Sequence, residues 1–186
     1  DNNEIFTADN HISKLNYPQS TPMMDNALKK FEFIKNEYIK DNKVYLTIIP
    51  DKNMYLAEDN GYLSLDYKEF FDYFSKSMTY AEYIDISSLL EADDYYYTDT
   101  HWRQECITDV AKHLADSMGV EINQSFTEHT LDIPFNGVYV GQSALKCTPD
   151  TIRYLTNDTI DNLKLDGAEA VYDMAKAQSR DPYEMF

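Results

Sequence analysis

The stretch Val44-Tyr45-Leu46-Thr47-Ile48-Ile49 constrains the fold more than any other part of the chain. It is short, almost wholly apolar, rich in β-branched residues and stopped by Pro50, which has no amide to extend a ladder. Such a segment reads as a strand covered on both faces, the usual state of strands in parallel sheets. Helical periodicity flanks it. From about Met23 to Lys40, the residues Met24, Ala27, Leu28, Phe31, Ile34 and Tyr38 recur every three or four positions. A second helix is expected from about Asp66 to Met78, with Phe70, Phe71 and Phe74 facing inward, and a second strand at Glu82 to Ile86. A third helix is expected to start at an Asp99/Thr100 cap, to carry Trp102, Cys106, Val110 and Leu114, and to end at Gly119. This alternation predicts an α/β fold, a three-layer α/β/α sandwich with a mostly parallel sheet and right-handed crossovers.

The flanks read differently. Ile5 to Leu15 suggests short extended pieces around the turn Asp9-Asn10. Thr151 to Leu155 and Ala168 to Asp173 read as strands of a small β-hairpin or flap. A length of 186 residues suits one domain over 1–186. The aromatic end Asp181-Pro182-Tyr183-Glu184-Met185-Phe186 reads as an interruption, so that domain is expected to be incomplete at its C-terminus.

A formal net charge of −17 excludes the usual nucleic-acid binders, which need clustered Lys and Arg against phosphate. No apolar run is long enough for a transmembrane helix, so no direct membrane insertion is expected. Cys106 and Cys147 are too few for a disulfide scaffold and lie outside any zinc-ligand spacing. No cofactor motif is present, and the scattered His11, His113 and His129 give no metal cluster with Asp99 and His101.

Chemistry concentrates in Tyr95-Tyr96-Tyr97-Thr98-Asp99-Thr100-His101-Trp102. In extended backbone, residues i and i+2 point the same way, so Asp99 can accept from one ring nitrogen of His101 and leave the other free as a base. The plainer alternative makes Asp99 or Thr100 a helix cap, Trp102 a core anchor and His101 an exposed first-turn residue. Lys52 lies at the C-terminal end of the first strand, where open α/β sheets bind ligands. Tyr97 and Trp102 offer flat aromatic faces, and Arg103 can hold Asp99 or a substrate anion. These four are the substrate-binding candidates. Ser143, in Gly141-Gln142-Ser143-Ala144, is the best internal serine but lacks the strand-turn-helix context of a nucleophile elbow.

Read together, Pro50-Asp51-Lys52-Asn53, Tyr95 to Trp102, Phe135-Asn136-Gly137 and Asp150-Thr151-Ile152 give a chain that resembles the DHHW family of exported bacterial proteins. The family's motif stands here as Asp99-Thr100-His101-Trp102, with Thr100 in place of the first His. That variant looks more like the related alginate O-acetylation proteins, whose domains have an SGNH-hydrolase-like fold in permuted order. The resemblance runs from about Phe6 onward. It implies a Ser-His-Asp arrangement in which His101 is the catalytic base, Asp99 the carboxylate that orients it, and the serine follows downstream of this chain. It also implies an extracytoplasmic location and a cell-surface polysaccharide as partner. The activity expected is that of a carbohydrate O-acyl esterase or O-acetyltransferase, the alternative being a non-catalytic cell-surface or carbohydrate-binding module of the same fold.

Overall fold

The structure is a computed structural model that describes residues 4–143, 146–164, 166–167 and 170–186. Strands β1 (Ile5–Ala8) and β2 (His11–Lys14) form an antiparallel hairpin. Asp9 and Asn10 both take left-handed backbone, with φ of 48° and 67°. That is the two-residue turn whose twist matches the strands, and Asp and Asn are among the few side-chain residues that tolerate it.

Helix α1 (Thr21–Glu37) starts with Pro22 in its first turn. It buries Met24 and packs Ala27 and Leu28 against Phe74 and Met78. The far half of the expected apolar stripe is uncovered: Phe31, Ile34 and Tyr38 are exposed. Strand β3 (Val44–Leu46) is shorter than the apolar run that announces it, and Ile49 faces out. A single-turn helix, α2 (Asn53–Leu56), precedes α3 (Tyr67–Ser77). Asp66 caps α3 by accepting from the Glu69 amide at 2.8 Å. The α3 face of Phe71 and Phe74 is buried, with Phe70 half-buried beside them. Strand β4 (Ala81–Tyr83) then pairs in parallel with β3. The chain beyond it buries Ile84, Ile86 and Leu90 against Val110.

Helix α4 (Thr108–Ser117) begins well after the expected Asp99/Thr100 cap. Residues 95–102 instead close on themselves, with a bridge between Tyr95 and Trp102 and the Tyr96 amide donating to the His101 carbonyl at 3.1 Å. The Asp99 carboxylate accepts from the His101 and Val138 amides and does not cap α4. Gly119, at φ +75°, follows α4 as expected of a glycine past a helix end. Strands β5 (Thr127–Phe135) and β6 (Asp150–Thr156) pair antiparallel around helix α5 (Val138–Ser143). Their register shifts between Thr130 and Pro134, where a residue without an amide interrupts the ladder. Helix α6 (Asp158–Asn162) is capped by Asn157, which accepts from Ile160 N at 2.9 Å. Leu131, Phe135 and Ile152 pack with Tyr96, Tyr172, Ala177 and Met185 into the main C-terminal core.

The chain is therefore mixed helix and sheet, but its sheets are small. Among the described residues there are three sheets of two strands each, and two of them are antiparallel. This corrects the expected three-layer sandwich with a mostly parallel sheet. A parallel pair needs a crossover, and α3 between β3 and β4 supplies one; the terminal β-rich segments pair within hairpin-like units. The expected strand at Ala168 to Asp173 lies partly outside the described residues, and residues 170–173 bend without pairing. The partner of Thr151 to Leu155 is β5.

Candidate active site

The closed loop 95–102 places an acid and an imidazole in direct contact. Asp99 Oδ1 lies 2.5 Å from His101 Nδ1 and also accepts from the His101 amide at 3.0 Å. Asp99 Oδ2 accepts from the Val138 amide at 2.7 Å. The carboxylate is buried and the imidazole is half exposed, with side-chain exposures of 6% and 50%. Asp99 has only acceptors to offer as an ion, so this pairing puts the ring proton on Nδ1 and leaves Nε2 free. The ring opens on a cleft of about 660 Å³ lined also by Asn136, Val138, Arg180 and Tyr183. The Tyr183 ring stacks on the imidazole at 4.3 Å between centroids and 22° between planes.

Two buried ionisable side chains hold the loop from opposite sides. Asp150, at the start of β6, accepts from Tyr97 N and Thr98 N at 2.8 Å each and from Thr98 Oγ1 at 2.6 Å. Lys52 donates to the carbonyls of Tyr96 and Tyr97 at 2.9 and 3.2 Å. The amides and carbonyls of the turn into Asp99 are thus both satisfied by ionisable side chains, which fixes the backbone on which the dyad stands. Burial pushes the Lys52 ammonium down to about 7, against the opposing pull of Asp150, Asp99 and Asp51. Burial also lowers His11, and the Lys52 charge adds to that effect.

Gly137 closes the construction. Its amide donates to Thr98 Oγ1 at 2.8 Å, and a Cβ there would run into Asp99 Cβ and the Thr98 carbonyl. Only glycine lets the 135–138 segment approach the motif closely enough for Val138 N to reach Asp99.

Of the residues singled out by sequence, the structure brings Asp99 and His101 together and sends the others elsewhere. Lys52 is 1% exposed, and its ammonium donates to the Tyr96 and Tyr97 carbonyls. Its place after a strand was legible; its burial was not. Trp102 is half-buried against the Ile84, Ile86, Leu90 and Val110 cluster. Tyr97 packs against His11, 4.5 Å between ring centroids, and lines a different cleft together with Arg103. Arg103 donates to the Asp93 carbonyl and lies 3.8 Å from Glu105. Ser143 is buried and donates to the Tyr139 carbonyl at 2.6 Å within α5. Cys106 and Cys147 are free thiols. Among the described residues no three His, Cys, Asp or Glu side chains gather as a metal site. Two contributors escaped sequence reasoning. Asp150 carried only the signal of an acid opening a strand, and Tyr183 carried none, since stacking on His101 depends on distant chain packing.

No protein-family model matches the chain, and no curated protein sequence matches it. Solved structures do. A DHHW family protein from Eubacterium siraeum DSM 15702 superposes with a TM-score of 0.64 at 16% identity, over 83% of this chain and 54% of that one. PatB1 from Bacillus cereus superposes with a TM-score of 0.61 at 15% identity, over 83% of this chain and 58% of that one. The chain spans little more than half the length of either neighbour. Among the described residues no helix is long and apolar enough to cross a membrane. At these identities the likeness is one of fold: most of this chain is arranged like a DHHW family protein from Eubacterium siraeum and like PatB1 from Bacillus cereus.

Proposed function

We propose that this chain is the acid–base part of an exported, SGNH-hydrolase-like protein of the DHHW type, acting as an O-acyl esterase or O-acetyltransferase on cell-surface carbohydrate. One observation carries the reading: a buried Asp99 carboxylate against Nδ1 of a half-exposed His101 that lines a cleft. In that arrangement Nε2 takes the proton of a serine hydroxyl as its oxygen bonds to the acyl carbon, and Asp99 stabilises the imidazolium. The proton then returns to the leaving oxygen. Water or an acceptor hydroxyl repeats the sequence to release the acyl group. The serine belongs, in this reading, to a part of the longer protein outside these 186 residues. Neither β3 nor β4 has a second partner among the described residues, so both outer edges are open to further strands.

A second reading, a non-catalytic binding module, is favoured by the Tyr183 ring lying flat on His101. Acetyl-ester hydrolysis by the longer protein and its His101→Ala variant separates the two. The enzyme reading expects a loss of about 100-fold or more from removing the base. Equal rates end it and leave the binding module.

A further inference from the structure

A second cleft, of about 650 Å³, lies among the β1/β2 hairpin, the motif loop and the start of β6. It shares no lining residue with the cleft of His101. Its walls carry Arg103, Lys146 and Arg153, and among the described residues its only acid is Asp150. That is a reversal of the background, because the chain as a whole has 33 acids against 16 Lys and Arg. The cleft of His101 shows the ordinary balance, with Asp99, Asp181 and Glu184 against Arg180. Asp150 is 5% exposed, and both its oxygens already accept from the Tyr97 and Thr98 donors.

We propose that this cleft binds a small oxyanion ligand, one presenting a carboxylate or phosphate group. Lys146 is exposed and has no acid within ion-pair distance among the described residues. Arg153 contacts Glu128 at 2.9 Å, through Nη1, with both side chains near half exposed. A guanidinium has five N–H donors, so one ion pair at its edge leaves others for a ligand. Arg103 reaches the Asp93 carbonyl and stands 3.8 Å from Glu105, while its buried Nε has no hydrogen-bond partner among the described residues. His11 on the same wall is fully buried and its Nδ1 is likewise unpartnered. Unsatisfied buried polar atoms are uncommon in folded proteins, and of the six among the described residues two belong to residues that line this cleft. Tyr97, partly exposed, closes the side of the cleft against His11.

Titration with inorganic phosphate, and separately with acetate, at ionic strength held constant with KCl tests the site. Amide shifts of Tyr97 and Thr151 and calorimetry give the affinity. Saturable binding of either ion is expected, and which ion binds assigns the ligand to the phosphate or the carboxylate class. The double variant Lys146→Gln/Arg153→Gln is expected to weaken binding by about 10-fold or more, since it removes two charge-assisted contacts. The double variant Lys68→Gln/Lys76→Gln removes the same charge from exposed ion pairs on α3 and is expected to leave affinity within about two-fold. Failure of both ions to saturate overturns the proposal. Equal weakening by the two double variants also overturns it, because the attraction would then be that of bulk charge.

Discussion

Gly137→Ala is the sharpest probe of how the dyad is held. The added methyl would overlap Asp99 Cβ and the Thr98 carbonyl, and neither is the loose end of a flexible side chain. Overpacking of that kind costs about 1–3 kcal/mol. Relief requires the 135–138 segment to back away. That strains two buried bonds, Gly137 N to Thr98 Oγ1 at 2.8 Å and Val138 N to Asp99 Oδ2 at 2.7 Å. A typical net contribution of about 1 kcal/mol for each of the two bonds brings the total to about 3–5 kcal/mol. Gly141→Ala is the matched control: it lies in α5, and nothing stands within 4 Å of its would-be Cβ. There the change removes unfolded-state freedom and is expected to stabilise by about 0.5–1 kcal/mol. In thermal unfolding this means a Tm lowered by roughly 5–15 °C for Gly137→Ala and raised by roughly 1–4 °C for Gly141→Ala. A Gly137→Ala protein as stable as the wild type, or equal losses at both sites, would refute the close-approach argument.

Two further outcomes follow from burial. Burial holds Lys52 at about 7 against an ordinary 10.5, so the unfolded chain binds more protons between those values and stability rises with pH there. The penalty is full below about pH 7 and is relieved toward the ordinary value; urea unfolding of wild type should gain roughly 1 kcal/mol per pH unit over part of that window relative to Lys52→Met, and parallel pH curves for the two would contradict it. On α1, Met24→Ala should lose about 2–5 kcal/mol while Ile34→Gln on the uncovered face should change stability by less than about 0.5 kcal/mol, a contrast that denaturant midpoints of the two variants check directly.

What was legible in the sequence is what local chemistry decides. Asp9-Asn10 announced a tight turn because few other residues accept that backbone, and Phe70, Phe71 and Phe74 announced a helix face through their spacing. The i, i+2 spacing of Asp99 and His101 pointed to their contact, although a bend and not an extended backbone brings the two side chains together. What escaped depends on partners far along the chain. Lys52 looks like a ligand contact until Tyr96 and Tyr97 are seen to fold their carbonyls over it from 44 and 45 residues away. The helix cap at Asp99 failed because Val138 claims that carboxylate from 39 residues away. Periodicity also cannot say whether an apolar stripe is covered, so Phe31 and Ile34 read like Met24 until packing separates them.

The His101–Asp99 contact itself can be observed by nitrogen-15 NMR of the imidazole at neutral pH. The neutral ring should carry its proton on Nδ1, with Nε2 showing the shift of an unprotonated nitrogen, and Asp99→Asn should abolish that preference. An Nε2–H tautomer in the wild type, or a ring indifferent to Asp99→Asn, would contradict the arrangement on which the proposed chemistry stands.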